Sequence, residues 1–273
     1  MVDEVFAGTP SDKAPEEQQG RRILLAEDGL VNQHVAIGLL RLKGHDVIVA
    51  NDGNEAVAAL EHQSFDVVLM DVQMPEMDGF EATRIIRERE RISQEHTPVI
   101  AMTASAMKGD RERCLDAGMD DYISKPIDPD QLYKSIDHYA GKNGNKPSAG
   151  DQPRPSPNED AMNDVVDWQV AEDRIPGGQS AVFNIARLLV GECPRILQDI
   201  RAAITGEDAK RLQRGAHTLK GSADVFGARR VVTTALQLEE RGRNNELDRA
   251  AETFAHLEKE FESLVKVIEA KAN

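Results

Sequence analysis

The sequence has few cysteines and no long apolar run. Its 273 residues include two cysteines, Cys114 and Cys193, which fall in different halves and lack the spacing of metal ligands. Both are therefore predicted to be packing residues in a reducing, cytoplasmic setting. No apolar run approaches the roughly 20 residues that a membrane span needs. Residues 1–20 lack the basic and then apolar pattern of a signal peptide, and their acidic, Pro- and Gln-containing composition predicts a disordered tail.

The sequence also lacks an excess of positive charge. Its formal net charge is −15, and residues 21–140 are its most acidic long stretch. Nonspecific binding to nucleic acid needs a basic surface, so this composition argues against a nucleic-acid partner. Residues 166–273 are closer to neutral and gather cations around His217. Such a basic face could attract the acidic part of the chain, although ordinary solvated helix faces would give the same pattern.

Four short apolar runs each end in a polar residue within residues 21–140. They are residues 23–26 before Glu27-Asp28, 67–70 before Asp71, 99–102 before Thr103, and 122–124 before Lys125. Amphipathic segments separate the runs, which is typical of a parallel α/β sheet. Ligands of such sheets bind outside the carboxyl ends of the strands. We therefore expect these polar side chains to meet at one edge of the sheet.

This pattern predicts five strands that alternate with five helices in a doubly wound (βα)5 fold. The strands are expected near residues 22–27, 46–50, 66–71, 98–103 and 121–124, and the helices near 31–43, 53–62, 79–91, 107–117 and 129–139. Asp128 followed by Pro129 supplies an N-cap and a proline at the first position of the fifth helix. Gly118 marks the end of the fourth.

The rest of the chain has a different pattern. Residues 141–165 are rich in Gly, Pro, Asn, Ser and Asp, which predicts a flexible linker. Residues 166–273 have helical periodicity and no strand pattern. Main helices are expected over about Ser180–Ile204, Asp208–Gly227, Ala228–Gly242 and Leu247–Ile268, after a short helix around Trp168. They predict an all-α four-helix bundle, with a kink or break at Pro194 in its first main helix.

Three carboxylates are expected to share one pocket at the sheet edge: those of Glu27, Asp28 and Asp71. Like charges a few ångströms apart cannot all stay ionised without compensation. Mg²⁺ suits this donor set best, because it takes one or two carboxylates, keeps waters and binds phosphate oxygens. Lys125 would face the carboxylates from the neighbouring strand end, and Thr103 would add a hydroxyl donor. Together they would cradle a phosphoryl group during its transfer to a carboxylate.

His217 lies on the helix predicted to begin near Asp208. The apolar residues around it recur at spacings of three and four and so form one buried stripe, made of Leu212, Ala216, Leu219, Ala223 and Phe226. At about 100° per residue, His217 lies roughly 140° from the centre of that stripe, so we expect its ring to point to solvent. An exposed imidazole beside Lys220 and Gly221 suits a nucleophile that meets a large partner and carries an anion. The alternative is an ordinary surface histidine.

Residues 21–140 resemble the receiver domain of two-component response regulators, which has a flavodoxin-like fold. The matching pieces, in the family's order, are Glu27-Asp28, Asp71 with residues 74–79 (MPEMDG), Thr103-Ala104 and Lys125-Pro126. The resemblance implies that Asp71 is the phosphoacceptor, and that Asp28, Glu27 and the backbone carbonyl of Gln73 help it to hold Mg²⁺. Thr103 and Lys125 would hold the phosphoryl oxygens. Thr103 and Tyr122 match the family's switch positions, and packing at a strand start explains Tyr122 equally well.

Residues 166–273 resemble a histidine phosphotransfer (HPt) domain. The match is carried by residues 216–223 (AHTLKGSA), followed by Phe226-Gly227-Ala228. It implies that His217 exchanges a phosphoryl group with a phosphoaspartate, that Lys220 stabilises the phosphoryl charge, and that Gly221 admits the partner's loop. The two resemblances together imply a phosphorelay between Asp71 and His217, in cis or through partners. Those partners would be an upstream histidine kinase and a downstream receiver.

Several alternatives bear on this interpretation. The sequence has no P-loop and no protein-kinase signature, so this chain is not expected to take phosphate from ATP itself. It resembles the C-terminal part of a hybrid sensor histidine kinase, and a stand-alone receiver–HPt protein is the alternative. An aspartate-nucleophile phosphatase is one alternative, but it would need a second Asp where this chain has Gln73. A flavodoxin-like module is another, but Glu27-Asp28 would repel the phosphate of a flavin. A third alternative, a scaffold protein that has this fold but is never phosphorylated, is not excluded by the sequence.

Overall fold

The structure, a computed structural model, describes residues 20–104, 108–140 and 165–272. Its first part contains the strands β1 (Arg22–Ala26), β2 (Asp46–Ala50), β3 (Val67–Asp71), β4 (Val99–Thr103) and β5 (Asp121–Ser124). All pairs are parallel, and the strand order is β2-β1-β3-β4-β5. The helices that alternate with them are α1 (Leu30–Leu42), α2 (Gly53–His62), α3 (Gly79–Ser93), α4 (Lys108–Asp116) and α5 (Pro129–Ala140). The predicted (βα)5 fold is confirmed.

The sheet is buried on both faces. Side chains along a strand alternate between the two faces, and in β1 Ile23 and Leu25 pack with α1 and α5, whereas Leu24 and Ala26 pack with α2, α3 and α4. Because both faces are covered, the strands have continuous apolar sequences. The polar residues that follow those sequences are left at the carboxyl edge of the sheet.

Aspartate side chains fix where several helices begin. Asp78 accepts a hydrogen bond from the Glu81 backbone N–H at 2.8 Å, which caps α3. Asp128 accepts one from the Gln131 N–H at 3.0 Å, directly before Pro129 opens α5. Each cap satisfies a backbone donor that the first turn of a helix leaves unpaired. The predicted cap at Asp128 is therefore confirmed.

The described residues 165–272 contain helices and no strand. These helices are α6 (Trp168–Arg174), α7 (Gly178–Thr205), α8 (Ala209–Asp224), α9 (Arg229–Asn244) and α10 (Ala250–Ala272). α8 packs against α7 and α9, and α10 packs against the same two helices, which closes a four-helix bundle. The short α6 precedes the bundle, as predicted.

A kink or a break was predicted at Pro194. The helix α7 continues through this residue, so the break is wrong, and the kink stays a prediction. A proline inside a helix loses one backbone hydrogen bond and clashes with the preceding turn. The apolar face of α7 offsets this cost, because Leu189, Cys193 and Ile200 are fully buried on both sides of the proline. Tertiary packing therefore overrides the local preference.

The bundle docks on one helix of the α/β part. α1 packs against α7 and α8, and the apolar core on the α1 side of the sheet is continuous with the core of the bundle. The linker predicted at 141–165 and the tail predicted at 1–20 lie outside the described residues, except for Val165 and Gly20. Cys114 and Cys193 are both buried, as expected of packing residues. Among the described helices, none has the length and apolar character needed to cross a bilayer.

We expect Pro194→Ala to raise the free energy of unfolding by about 1–2 kcal/mol, because it restores a helix hydrogen bond at an exposed position. Urea unfolding followed by the fluorescence of Trp168 measures this. Trp168 is the only tryptophan, and its ring lies 5.8 Å from the ring of Phe183 on α7. Arg195→Ala, at the exposed neighbouring position, is the control. An unchanged or lowered stability of Pro194→Ala would contradict this expectation.

Candidate functional site

Three carboxylates meet at the carboxyl edge of the sheet, as predicted. Glu27 and Asp28 follow β1, and Asp71 ends β3, which pairs with β1 in parallel. One carboxylate oxygen from each of the three lies within 4.8 Å of the others, an arrangement that could hold a metal ion. Glu27 and Asp71 are almost completely buried. The sheet therefore concentrates three acidic groups at one edge, two of them buried and the third, Asp28, half-buried.

Lys125 reaches into this cluster from the end of β5. Its Nζ lies 2.5 Å from Glu27 Oε2 and 2.6 Å from Asp71 Oδ2. Burial alone would lower the pKa of Lys125, but Asp71 and Glu27 outweigh that effect and hold the pKa above its usual range. The lysine therefore stays charged and compensates two of the three carboxylates.

The carboxylates are still held in an unfavourable charge environment. Burial raises the pKa of Asp71 to about 6, and the Glu27 carboxylate adds to the rise, while Lys125 and His217 oppose it. Burial and the Glu27 carboxylate likewise raise the pKa of Asp28 to about 6. One lysine is thus too little positive charge for three acids, and a further cation would relieve the excess.

The remaining residues predicted for this site lie around the cluster. Thr103 ends β4 and is buried, and its carbonyl accepts a hydrogen bond from the Lys125 backbone N–H at 2.7 Å. The Gln73 N–H donates to Asp71 Oδ1 at 3.1 Å. Tyr122 is half-buried against the apolar face formed with α2, α3 and α4, with the Arg111 guanidinium 5.9 Å from its ring centroid. This position suits both interpretations of Tyr122, as a switch residue and as an aromatic residue packed at a strand start.

The structure contradicts the predicted exposure of His217. The histidine is only 4% exposed, although it lies on the face of α8 away from the apolar stripe. Two neighbours cover it: Glu239 of α9, and the α/β part of the chain, whose Lys125 lines the same small cavity as the imidazole. Helical periodicity describes a single helix, and it contains no information on what a docked domain covers.

Glu239 is a site residue that the sequence analysis missed. Its carboxylate accepts from Lys220 Nζ at 2.5 Å and from Arg243 Nη2 at 3.0 Å, and it lies 3.1 Å from His217 Nδ1. Glu239 is 1% exposed and follows Leu238 on the buried face of α9. A charged residue on an otherwise apolar helix stripe is the signal that could have identified it.

Glu239 also determines which nitrogen of the His217 imidazole carries a proton. Burial alone would raise the pKa of Glu239. The hydrogen bond and charge of His217 and the ammonium of Lys220 outweigh burial and lower this pKa to about 2. An ionised carboxylate only accepts hydrogen bonds, so His217 Nδ1 must carry the proton. A ring that carries only this proton has its lone pair on Nε2.

The two parts of the chain contact each other directly at these residues. The Thr218 hydroxyl donates to Asp28 Oδ2 at 3.0 Å. Asn32 of α1 lies over Gly221, where an added Cβ would be 3.1 Å from Asn32 Nδ2. A cavity between them is lined by residues of both parts, including Lys125, His217 and Lys220. The acidic cluster and the buried histidine therefore belong to one site.

Two protein families match the chain, one for each part. The response regulator receiver domain matches residues 23–137, and the Hpt domain matches residues 184–266. This chain joins a receiver domain to an Hpt domain. The acidic cluster lies in the receiver, and His217 lies in the Hpt domain. The two domains together are those of phosphorelay signalling.

Relatives of this receiver–Hpt chain include histidine kinases. It is 30% identical over 234 residues to the signal transduction histidine-protein kinase BarA of Escherichia coli K12, a match that covers 84% of this chain and 25% of BarA. It is 41% identical over 139 residues to histidine kinase 3 of Arabidopsis thaliana, covering 44% of this chain and 13% of that kinase. The chain thus spans about a quarter or less of these relatives.

Among solved structures, the receiver domain of sensor histidine kinase PA1611 from Pseudomonas aeruginosa PAO1 is 44% identical. That match has a TM-score of 0.42 and covers 45% of this chain and 99% of the other. The PA1611 structure contains a magnesium ion coordinated in its active site cleft.

The Hpt carboxylate gives a testable pH dependence. Glu239 has a folded pKa of about 2, below the ordinary 4.5, so its stabilisation is complete above about pH 5 and is lost as the pH falls towards 2. We expect Glu239→Gln to lower the free energy of unfolding by about 2–3 kcal/mol at pH 7 and by about half of that at pH 3. Urea unfolding followed at Trp168 measures both values.

The control for this prediction is Glu240→Gln, because Glu240 is the exposed neighbour on the same helix. It removes the same charge without touching His217 or Lys220. A stability difference for Glu239→Gln that does not change between pH 7 and pH 3 would contradict the assignment of an ionised, paired carboxylate.

Proposed function

We propose that Asp71 accepts a phosphoryl group in an Mg²⁺-dependent reaction and exchanges it with His217 of the same chain. The observation that carries this proposal is the docked interface itself. There His217, Lys220 and Lys125 line one cavity, and Lys125 bonds Asp71 directly. An acceptor carboxylate, an oriented imidazole and two ammonium groups are the parts that phosphoryl exchange needs.

The donor set of the receiver fits Mg²⁺. Asp28 and Asp71 would hold the ion, with Glu27 assisting, because all three present oxygens within 4.8 Å of one another and the hard cation prefers oxygen ligands. The raised pKa values of Asp28 and Asp71 support the need for added positive charge. When bound, the ion would neutralise charge on the carboxylates and on the phosphoryl oxygens.

The residues present account for every bond and proton of the proposed phosphoryl exchange. In one direction, the lone pair of His217 Nε2 forms a bond to phosphorus, and the Asp71 oxygen keeps the electrons of the broken P–O bond as a carboxylate. His217 Nδ1 keeps its proton, and Glu239 compensates the positive charge that develops on the ring. Lys220 and Lys125 would stabilise the phosphoryl oxygens, and Thr103 would donate a hydroxyl to them on the receiver side. The reverse reaction uses the same groups.

We also propose which classes of protein are the partners of this chain. A histidine kinase would supply the phosphoryl group, and a second receiver would take it or return it. The match to BarA supports a place within a hybrid histidine kinase, with a stand-alone relay protein as the alternative. Residues 141–165 would tether the two domains. The burial of Cys114 and Cys193 in different domains is compatible with the reducing cytoplasm.

The deciding experiment is phosphosite mapping by mass spectrometry after incubation with acetyl phosphate and Mg²⁺. In the unaltered chain we expect phosphate on Asp71 and then on His217, because acetyl phosphate supplies the carboxylate first. We expect Asp71→Asn to lose both modifications, and His217→Gln to keep only phosphoaspartate. Chelation of Mg²⁺ should prevent labelling, and transfer in cis should have a rate that is independent of protein concentration.

Two outcomes would count against the proposal. Phosphate that enters Asp71 but never reaches His217 would mean that the two domains serve different partners. An Asp71 that is never labelled would support the scaffold alternative instead. Glu239→Gln tests the positioning role separately: we expect it to slow transfer to His217 by on the order of 10²-fold, with labelling of Asp71 unchanged.

A further inference from the structure

The docked face of α1 extends well beyond the phosphoryl-transfer site. Asn32, Val35 and Gly38 follow each other at intervals of three residues and so lie along one side of the helix. Asn32 meets Gly221 of α8, and Val35 lines the cavity that contains His217. Gly38 lies about 9 Å further along the helix axis than Asn32. The Hpt domain contacts it with a different element.

That element is the turn between α6 and α7. Its Pro176 lies directly over Gly38, where an added Cβ would come within 2.9 Å of Pro176 Cγ. Real Cβ atoms essentially never approach another heavy atom so closely, and a proline ring cannot rotate away as a flexible side chain would. The contact therefore exists only because position 38 has no side chain.

The turn is held in place from both sides. Gly177 and Gly178, with φ values of +103° and +71°, let the chain reverse directly after Pro176. Ile175 is buried in the bundle core, and its N–H donates to the Ala171 carbonyl at 2.9 Å. The proline is thus presented by a fixed loop of the Hpt domain.

We propose that this turn is a docking element, and that Gly38 is a specificity-determining residue that admits the chain's own receiver. Any receiver with a side chain at the matching position of its first helix would hold the turn away from α1. Since α1 packs against α7 as well as α8, that displacement would be transmitted to the helix that carries His217. The inference rests on the proposed function only for its consequence on transfer, because the docking contact is geometric.

The occupant of this surface is the receiver of the same chain. The α1 face is apolar next to the contact, and the core on this side of the sheet continues without interruption into the Hpt bundle. The Thr218–Asp28 hydrogen bond fixes the other end of the interface. A foreign receiver that used this Hpt domain would have to displace the docked one first.

The test uses the 273-residue chain with Gly38→Ala and a matched control, Gly191→Ala. Gly191 is also a helical glycine, but an added Cβ there meets nothing within 4 Å. Both substitutions favour helix equally, so only the loss of docking separates them. The readout is carbethoxylation of His217 by diethyl pyrocarbonate, mapped by mass spectrometry, with the 63%-exposed His256 as an internal reference.

We expect Gly38→Ala to raise the reactivity of His217 several-fold and to slow transfer from Asp71 to His217 by about tenfold, while Gly191→Ala matches the unaltered chain. Adding Pro176→Ala removes the ring that the new methyl group meets. The double variant should therefore reverse part of both changes, the raised His217 reactivity and the slowed transfer. Unchanged His217 reactivity in Gly38→Ala would overturn the proposal. So would a double variant that is no better than Gly38→Ala.

The outcomes separate this inference from the proposed function. If Asp71 of the unaltered chain takes no phosphate, the proposed function fails, and the reactivity of His217 still tests the docking contact. If phosphate transfer proceeds normally and Gly38→Ala changes nothing, the docking inference fails alone.

Discussion

One buried ammonium group makes the receiver site feasible. Lys125 contacts the carboxylates of Glu27 and Asp71 at 2.5 and 2.6 Å in a region with little water. Without it, two buried carboxylates would be uncompensated, a loss that costs about 3–5 kcal/mol in comparable buried pairs. The parallel sheet creates this problem and also solves it, since it brings both acids and the lysine to the same edge.

The Hpt site uses the reverse arrangement. There one buried carboxylate, Glu239, is shared by an imidazole, an ammonium and a guanidinium, those of His217, Lys220 and Arg243. The receiver has more negative charge than its lysine compensates, whereas the Hpt site has more positive charge than its glutamate compensates. Docking places the excess negative charge of the receiver site next to the excess positive charge of the Hpt site. This arrangement favours the contact between the domains and the passage of an anion from one site to the other.

The close approach of the two domains depends on residues without side chains. Gly221 lies against Asn32, and Gly38 lies against Pro176, at opposite ends of the α1 face. Between these points, apolar residues of both domains form one core. Charge orients the partners, but the fit of the surfaces decides how near they come, because dispersion and burial act only at contact.

The sequence by itself determined the local order of the chain and the chemistry at the strand ends. Continuous apolar runs predicted the buried strands, and Asp128-Pro129 predicted the start of α5, because these signals act over a few residues. The grouping of Glu27, Asp28, Asp71 and Lys125 followed from the rule that parallel strands bring their carboxyl ends to one edge.

Only the tertiary structure decided the surroundings of His217. Its periodicity predicts exposure, yet Glu239, from a helix further along the chain, and the docked receiver cover it. The continuous helix through Pro194 has the same origin, since buried neighbours on either side outweigh the local cost. Local pattern reflects the preferences of one segment, whereas burial and proton position depend on what other segments place against it.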